Sequence, residues 1–260
     1  MFQYFEFCGE KIAMFPFFTG MGILAAAFLI FYQLKRMQVS SEQENQVMPA
    51  IPLTFFSGVI GGCAADIVLR GGLKALITAP TEYGLTFYGW LIGGIVFLRG
   101  YSKICALKYD YMLNLFLPSF ALAQSLGRIG CFAGGCCYGA PAKVFGISYP
   151  VDSLPYIYHG SAPLIPVQLY ESAYLFIVHL LLFHLVRFKY RGVCYLLLMP
   201  AGRFFLEFFR SDDRGTFLIN ILSPSQWISI GLFIGGLIWF LKIKHSQTSS
   251  ADSCAAVPDT

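Results

Sequence analysis

The sequence predicts an all-α polytopic membrane protein with about seven transmembrane helices, its N-terminus outside the cell and its C-terminus in the cytoplasm. Charged residues make up 12% of the 260 residues and hydrophobic residues 57%. A soluble domain carries about 25% charged residues, so most of this surface must face lipid. Apolar runs of spanning length lie at residues 15–32, 49–69, 84–98, 111–127, 167–186, 193–209 and 219–241. Six spans are expected instead if the second run is a re-entrant or core helix.

The basic residues predict the orientation. Loops after the first, third and fifth runs, together with the C-terminal tail, hold ten of the 18 basic residues: Lys35, Arg36, Arg99, Lys103, Lys108, Arg187, Lys189, Arg191, Lys242 and Lys244. Cytoplasmic loops are enriched in Lys and Arg, which places these segments inside. Residues 1–245 are expected to form one transmembrane domain. Residues 246–260 contain few large apolar side chains and are expected to be a disordered cytoplasmic tail.

Several function classes are disfavoured by the composition. The net charge of +4 comes without a basic block, which argues against a nucleic-acid partner. No P-loop or dinucleotide fingerprint occurs, and the eight cysteines form no zinc-finger spacing, so neither a cofactor nor a structural metal is predicted. Only Cys131, Cys136 and Cys137 cluster. They are interpreted as packing residues or a disulfide, with a reactive thiol as the less favoured alternative.

Two segments place arginine at the outer ends of spans. Residues 202–213 hold Arg203 and Glu207 four apart on one helical face, with Arg210 one turn further on. An arginine in hydrocarbon costs at least ~2.5–3.5 kcal/mol, so such residues face the interior and mark substrate paths. Residues 127–139 contain five glycines and Arg128, which suggests a loop wrapped around a head group. The alternatives are a structural ion pair and a snorkelling arginine.

Arg128 and Arg203 are therefore expected to converge near the outer leaflet, where paired guanidinium groups suit a phosphate or phosphodiester. Gln168 and Glu171 are interpreted either as cavity-facing polar groups or as the polar cap of a helix. Asp66 is expected to pair with Arg70 in a structural role. The glycines of residues 88–94 are typical of close helix packing in lipid.

These motifs, in this order, resemble those of the bacterial phosphatidylglycerol–prolipoprotein diacylglyceryl transferases. The family's Gly-Arg-x-Gly-Asn-Phe hallmark resembles residues 127–132, with Gly139 matching its last glycine. Its His-Gly-Gly-Leu-Ile-Gly motif is similar to residues 88–93, its Pro-x-Gln-Leu-Tyr-Glu motif matches residues 166–171, and its Arg-Phe-x-x-Glu-Phe-x-Arg motif matches residues 203–210. The resemblance covers the third to the seventh span.

The resemblance implies an enzyme of the bacterial plasma membrane that moves the diacylglyceryl group of phosphatidylglycerol to the lipobox cysteine of a prolipoprotein, with the signal peptide as partner and glycerol phosphate released. The implied catalytic residues are Arg128, Arg203, Glu207 and Tyr88. The implied substrate-binding residues are Gly89, Gly93, Gly130, Cys131, Gly139, Gln168, Glu171 and Arg210.

Four positions depart from the family pattern. Tyr88 replaces the motif histidine, Cys131 the hallmark asparagine, Cys136 an acidic residue, and Met199 a tyrosine. Tyrosine, with a reference pKa of about 10, is a poor base at neutral pH. The phosphate-binding positions are kept while positions for proton transfer and the acceptor are changed. Two alternatives therefore stay open: a membrane transferase that uses a phospholipid donor with a different acceptor, and a non-catalytic lipid-binding protein.

Overall fold

A computed structural model describes residues 4–7, 10–69, 86–151, 153–210 and 221–255 of the chain. A small antiparallel hairpin, β1 (Tyr4–Phe7) and β2 (Glu10–Ala13), precedes the helices and was not predicted. The helices of the described residues are α1 (Met14–Arg36), α2 (Ser41–Val47), α3 (Ala50–Leu69), α4 (Phe87–Ile104), α5 (Tyr109–Gly134), α6 (Leu154–His159), α7 (Val167–Leu180), α8 (Arg191–Leu206) and α9 (Pro224–Ala255).

The helical membrane architecture predicted from composition is confirmed. In the described part of the chain, six segments are long and apolar enough to cross a bilayer: Met14–Arg36, Ser41–Val68, Tyr109–Gly134, Val167–Leu185, Phe188–Phe209 and Pro224–His245. The second predicted run is thus one of the six. The third predicted run coincides with α4, which is not among them and carries Arg99 and Lys103 in its last turns.

Some of the sequence expectations involve residues that lie outside the described part of the chain. Arg70, the expected partner of Asp66, and the start of the third predicted run at residue 84 lie outside them. Asp66 accepts a hydrogen bond from the Thr86 hydroxyl at 2.9 Å, and its pairing with Arg70 stays a prediction. Helix α9 continues to Ala255 and overlaps the segment predicted to be a disordered tail, so the tail stays a prediction.

Helix α5 lies at the centre of the bundle and packs against α1, α7 and α8. Its buried polar groups are used to join these helices. The Asn114 side chain accepts the Gly192 N–H at 2.7 Å, and the Ser125 hydroxyl donates to the Ser172 carbonyl at 2.9 Å. The Pro118 carbonyl lies 2.8 Å from Nδ1 of His179, which must donate because a carbonyl only accepts. Polar pairs of this kind specify which helix faces meet in an apolar surrounding.

Helices α3 and α4 pack together through glycine. A side chain at Gly93 would clash with the backbone of Ser57 and Gly61, and one at Gly89 would clash with Gly61 and Ala65. Small residues let helix backbones approach closely in lipid, where dispersion rather than the hydrophobic effect holds helices together. The interpretation of the 88–94 glycines as packing residues agrees with this geometry.

A valine at Gly93 should therefore force α3 and α4 apart and destabilise the protein by about 1–3 kcal/mol, the usual range for overpacking. Gly100 lies on the same helix with no atom near the place of a side chain, so Gly100→Val is a matched control. Thermal unfolding in detergent measures both. Equal loss of stability in the two variants would contradict the packing role of Gly93.

Candidate active site

A single carboxylate, that of Glu171 on α7, joins two arginines from different helices. Its Oε2 lies 2.6 Å from Nη1 of Arg203 on α8, and its Oε1 lies 3.0 Å from Nε of Arg128 on α5. The Glu171 side chain is 3% exposed and the Arg203 side chain 2%. The sequence suggested either a helix cap or a cavity-facing group for Glu171. In the structure both of its oxygens contact buried arginines, so Glu171 lies at the centre of the buried charges.

A second carboxylate, that of Glu207, extends the cluster. Its Oε2 lies 3.3 Å from Nη2 of Arg203 and 4.0 Å from Nε of Arg210, and its Oε1 accepts a hydrogen bond from the Ser223 hydroxyl at 3.1 Å. The spacing of four residues correctly predicted the contact between Arg203 and Glu207. The Arg210 side chain is as buried as its partner, at 3% exposed. Arg210 therefore belongs to the same cluster as Arg128 and Arg203.

The cluster gathers arginine side chains in a buried place. Three guanidinium groups (Arg128, Arg203 and Arg210) contact the carboxylates of Glu171 and Glu207, and all five side chains are at most 9% exposed. Buried charge is costly unless it is paired, because the protein interior replaces water poorly as a solvent for ions. The two carboxylates therefore hold three arginines in fixed positions next to one another.

The glycine-rich segment departs from the predicted loop. Helix α5 continues to Gly134, so Arg128, Gly130 and Cys131 lie on helical turns and not on a loop. Gly130 faces α1, where a side chain would press on Phe15 and Phe18. The expected head-group loop is confined to residues after Gly134. Of the glycines in this part of the helix, Gly130 gives close packing against α1, a contact that the sequence alone did not reveal.

The loop after α5 is tied to the residues that follow α8. Gly139 pairs with Arg210 in an isolated antiparallel bridge, and the Ala140 N–H donates to the Phe209 carbonyl at 2.9 Å. A side chain at Gly139 would clash with the Phe209 and Ile165 carbonyls. Gln168 donates through Nε2 to the Cys136 carbonyl at 2.6 Å. Gly139 and Gln168 hold the loop beside the charged cluster.

Tyr88 reaches the cluster from α4. The charges of Arg203, Glu171 and Glu207 act on its hydroxyl, which lies 2.5 Å from Oγ of Ser229. The Ser229 hydroxyl donates to the Ser225 carbonyl, so the Tyr88 hydroxyl is the donor in the shorter contact. The phenol is thus held with its proton directed at α9, which does not favour Tyr88 as a base.

An apolar cavity of about 90 Å³ lies between α1, α3, α4 and α5, lined by residues that include Ile23, Trp90, Leu91, Phe120 and Ala123. A chain of aromatic rings connects it to the charges. The Arg128 guanidinium lies 5.9 Å from the Phe87 ring centroid, and Phe87 stacks on Phe120 at 6.2 Å. Phe120 in turn contacts Trp90 at 4.9 Å. Arg128 and the apolar cavity are therefore joined by a row of packed aromatic rings.

Comparison with known proteins identifies the family. The model of the prolipoprotein diacylglyceryl transferase family matches residues 3–242. The chain belongs to this family. It is 36% identical over 248 residues to phosphatidylglycerol–prolipoprotein diacylglyceryl transferase 2 of Clostridium perfringens, covering 90% of this chain and 92% of that protein. The transferase of Clostridium tetani is 32% identical, covering 91% and 95%, and that of Finegoldia magna 34% identical, covering 95% and 97%.

The structure of this family member brings together most of the residues that the motifs singled out. Arg128, Glu171, Arg203, Glu207 and Arg210 form one cluster, and Tyr88, Cys131, Gly139 and Gln168 surround it. Gly89, Gly93 and Gly130 lie instead at helix contacts. The motifs missed Ser223, which lies just before α9, and Ser229 in the second turn of that helix. The serines and glutamine of residues 223–229, at the edge of an apolar run, were the available signal.

Removal of the central carboxylate should destabilise the protein strongly. Glu171→Gln leaves two buried guanidinium groups without their shared counter-ion, and breaking a buried pair costs about 3–5 kcal/mol. The matched control is Glu44→Gln, which removes the partner of the exposed Lys35 and should cost less than about 1 kcal/mol. The measurement is thermal unfolding in detergent. A Glu171→Gln variant as stable as the control would show that the cluster does not hold the helices together.

Proposed function

We propose that this chain transfers the diacylglyceryl group of phosphatidylglycerol to the lipobox cysteine thiol of prolipoproteins and releases glycerol phosphate. The relatives described above are named for this activity, and the chain matches them over nearly their whole length. The buried cluster of three arginines held by two carboxylates is the observation that carries the proposal. Guanidinium groups are well suited to bind the phosphodiester of a phospholipid.

The phosphate of the donor would lie between Arg128, Arg203 and Arg210. Guanidinium groups donate paired hydrogen bonds to phosphate oxygens, and these three are already held in place by Glu171 and Glu207. Donors fixed before the reaction need no reorganisation when charge develops. Gln168 adds a buried acceptor, since its Oε1 has no partner among the described residues. A glycerol hydroxyl of the head group has the proton that this oxygen can accept.

The reaction moves negative charge toward the arginines. The thiolate of the acceptor forms a bond from sulfur to the glyceryl carbon, and the bond from that carbon to the phosphate oxygen breaks with its electron pair going to oxygen. The charge lost by sulfur is gained by the leaving glycerol phosphate, which passes from a monoanion to a dianion. Stabilisation of that second charge by Arg128 and Arg203 would lower the barrier, because the interaction is stronger in the transition state than in the ground state.

The acyl chains of the donor would follow the aromatic surface away from the phosphate. Phe87 and Phe120 lead from Arg128 to the apolar cavity behind Trp90. A phospholipid has the same two parts, a charged head and apolar chains, joined at the glycerol carbon that reacts. A chain seated against Phe120 would hold that carbon close to Arg128.

The membrane arrangement is part of the proposal. We infer seven crossings in a bacterial plasma membrane, with α4 as the crossing additional to the six long apolar segments. An odd number of crossings with basic loops inside puts the N-terminus outside. Residues 1–245 then form one transmembrane domain, and the cluster lies on the side of the outer leaflet, where signal peptides of exported prolipoproteins emerge.

The test measures thioether formation between phosphatidylglycerol and a synthetic lipobox peptide, using purified protein in detergent. Arg203→Lys keeps a positive charge near Glu171 but removes the paired donors, so kcat/KM should fall by at least about 100-fold, the size found for loss of one charge-stabilising donor. Lys35→Ala, at an exposed ion pair on α1, is the control. Thermal unfolding verifies that the variant is folded. Phospholipid binding without glycerol phosphate release by the wild type would favour the non-catalytic alternative.

A bulky residue in the apolar cavity should discriminate between donors by chain length. Ala26 lines the cavity, so Ala26→Phe should lower activity with long-chain phosphatidylglycerol by roughly 10-fold, as loss of a few methylene contacts of about 0.8 kcal/mol each implies. Activity with a short-chain donor should be retained. Ala27→Phe, on the same helix beside the cavity lining, is the control. Equal loss with both donors would place the acyl chains elsewhere.

A further inference from the structure

Three cysteine thiols meet beside the charged cluster. The Sγ atoms of Cys131, Cys136 and Cys137 all lie within 4.8 Å of one another, and none of the three cysteines forms a disulfide. Cys131 is buried on the last turn of α5, and the other two follow that helix. Their positions in the sequence match no metal-binding spacing, because the arrangement depends on a chain reversal that spacing does not show.

The reversal is held in place by specific contacts. Gly135 has a φ of 71° and ends the helix, and the Cys136 N–H donates to the Cys131 carbonyl at 3.1 Å. Cys137 also has a positive φ, of 63°, which is uncommon for a residue with a side chain and costs about 1–3 kcal/mol. The Cys136 carbonyl accepts from Gln168 at 2.6 Å. The strained backbone of Cys137, next to the anchored Cys136, indicates that the position of the Cys137 side chain is constrained.

The sulfur positions fit a soft cation. Zinc–thiolate bonds of about 2.3 Å separate the sulfurs of a three-thiolate site by about 4 Å, so the thiols need only small shifts to enclose an ion. Thiolates select soft metals such as Zn²⁺ and Cd²⁺. Three protein ligands leave a fourth position open, as in zinc sites that are not purely structural.

The charges around the thiols fit the same ion. The Arg128 Nη1 lies 4.0 Å from Sγ of Cys131, and the charges of Arg210 and Arg128 both act on Cys137. Three thiolates and one divalent cation carry a net charge of minus one. This is also the charge of a phosphodiester, so the same guanidinium groups attract both.

We propose that Cys131, Cys136 and Cys137 form a site for a soft divalent cation such as Zn²⁺, and that the metal–thiolate group competes with the phosphate of the lipid donor for Arg128 and Arg210. The metal site stands on the thiol geometry alone. The competition rests on the proposed function, because it requires the donor phosphate to use the same arginines.

Cadmium is the probe for the site, since its thiolate complexes absorb in the ultraviolet. Titration of the full-length protein, in detergent with a non-thiol reductant, should give a charge-transfer band that saturates at one Cd²⁺ per chain. Cys131→Ser and Cys137→Ser should each weaken binding by at least about 10-fold. Cys194→Ser, a cysteine on α8 outside the cluster, should leave the titration unchanged.

Alkylation gives a second measurement that does not depend on the variants folding. Bound Cd²⁺ should protect the partly exposed Cys136 and Cys137 of the wild type from iodoacetamide, while Cys105, which follows the end of α4, stays reactive. Absence of the absorption band and of protection would overturn the site. A disulfide among the three cysteines in protein purified without reductant would overturn it as well.

The competition is tested in bilayer discs of different lipid. Discs of phosphatidylglycerol should weaken Cd²⁺ binding by at least about 10-fold relative to discs of phosphatidylcholine, whose head group carries no net charge to offer the arginines. Equal affinity in both discs would overturn the competition and leave the metal site standing. Failure of the transferase assay with Cd²⁺ binding intact would instead overturn the proposed function alone.

Discussion

The position of one carboxylate determines how the site is assembled. Glu171 on α7 contacts Arg128 from α5 and Arg203 from α8, so three helices are joined at a point where none of the charges reaches bulk water. Each of these ions would be costly to bury alone. The helices must therefore dock in the register that brings the three side chains together. The same contact aims both guanidinium groups at the region where a phosphate would bind.

The surroundings of this contact divide into two chemical halves. Toward α9 and the loop after α5, the neighbours are hydroxyl, amide and thiol groups, including Ser223, Gln168 and Cys131. Toward α1 and α4, the neighbours are the aromatic rings of Phe87, Phe120 and Trp90. A phospholipid divides at its glycerol in the same way. The bundle thus presents charge and apolar surface in the order in which a lipid donor carries them.

The residues that differ from the family pattern gather on one side of the cluster. By the sequence resemblance, Cys131 stands in place of an asparagine and Cys136 in place of an acidic residue, and the structure brings both thiols together with Cys137. Tyr88, in place of a histidine, donates its proton toward Ser229. The arginines and their carboxylates are kept. The departures noted in the sequence thus include two of the three clustered thiols, whereas the arginines and carboxylates of the buried cluster match the motifs.

The sequence by itself determined the membrane class, the helical architecture, the family and the Arg203–Glu207 pair. Composition, the length of apolar runs and a spacing of four residues are local properties that sequence records directly. Only the tertiary structure decided that Glu171 is the central counter-ion, that α5 continues through the glycines, and that the serines of α9 complete the site. Each depends on which helix faces meet. A single sequence has no periodic pattern or spacing that identifies contacts between helices distant in the chain. Those contacts are decided by how the helices pack and by which charged groups must be buried together.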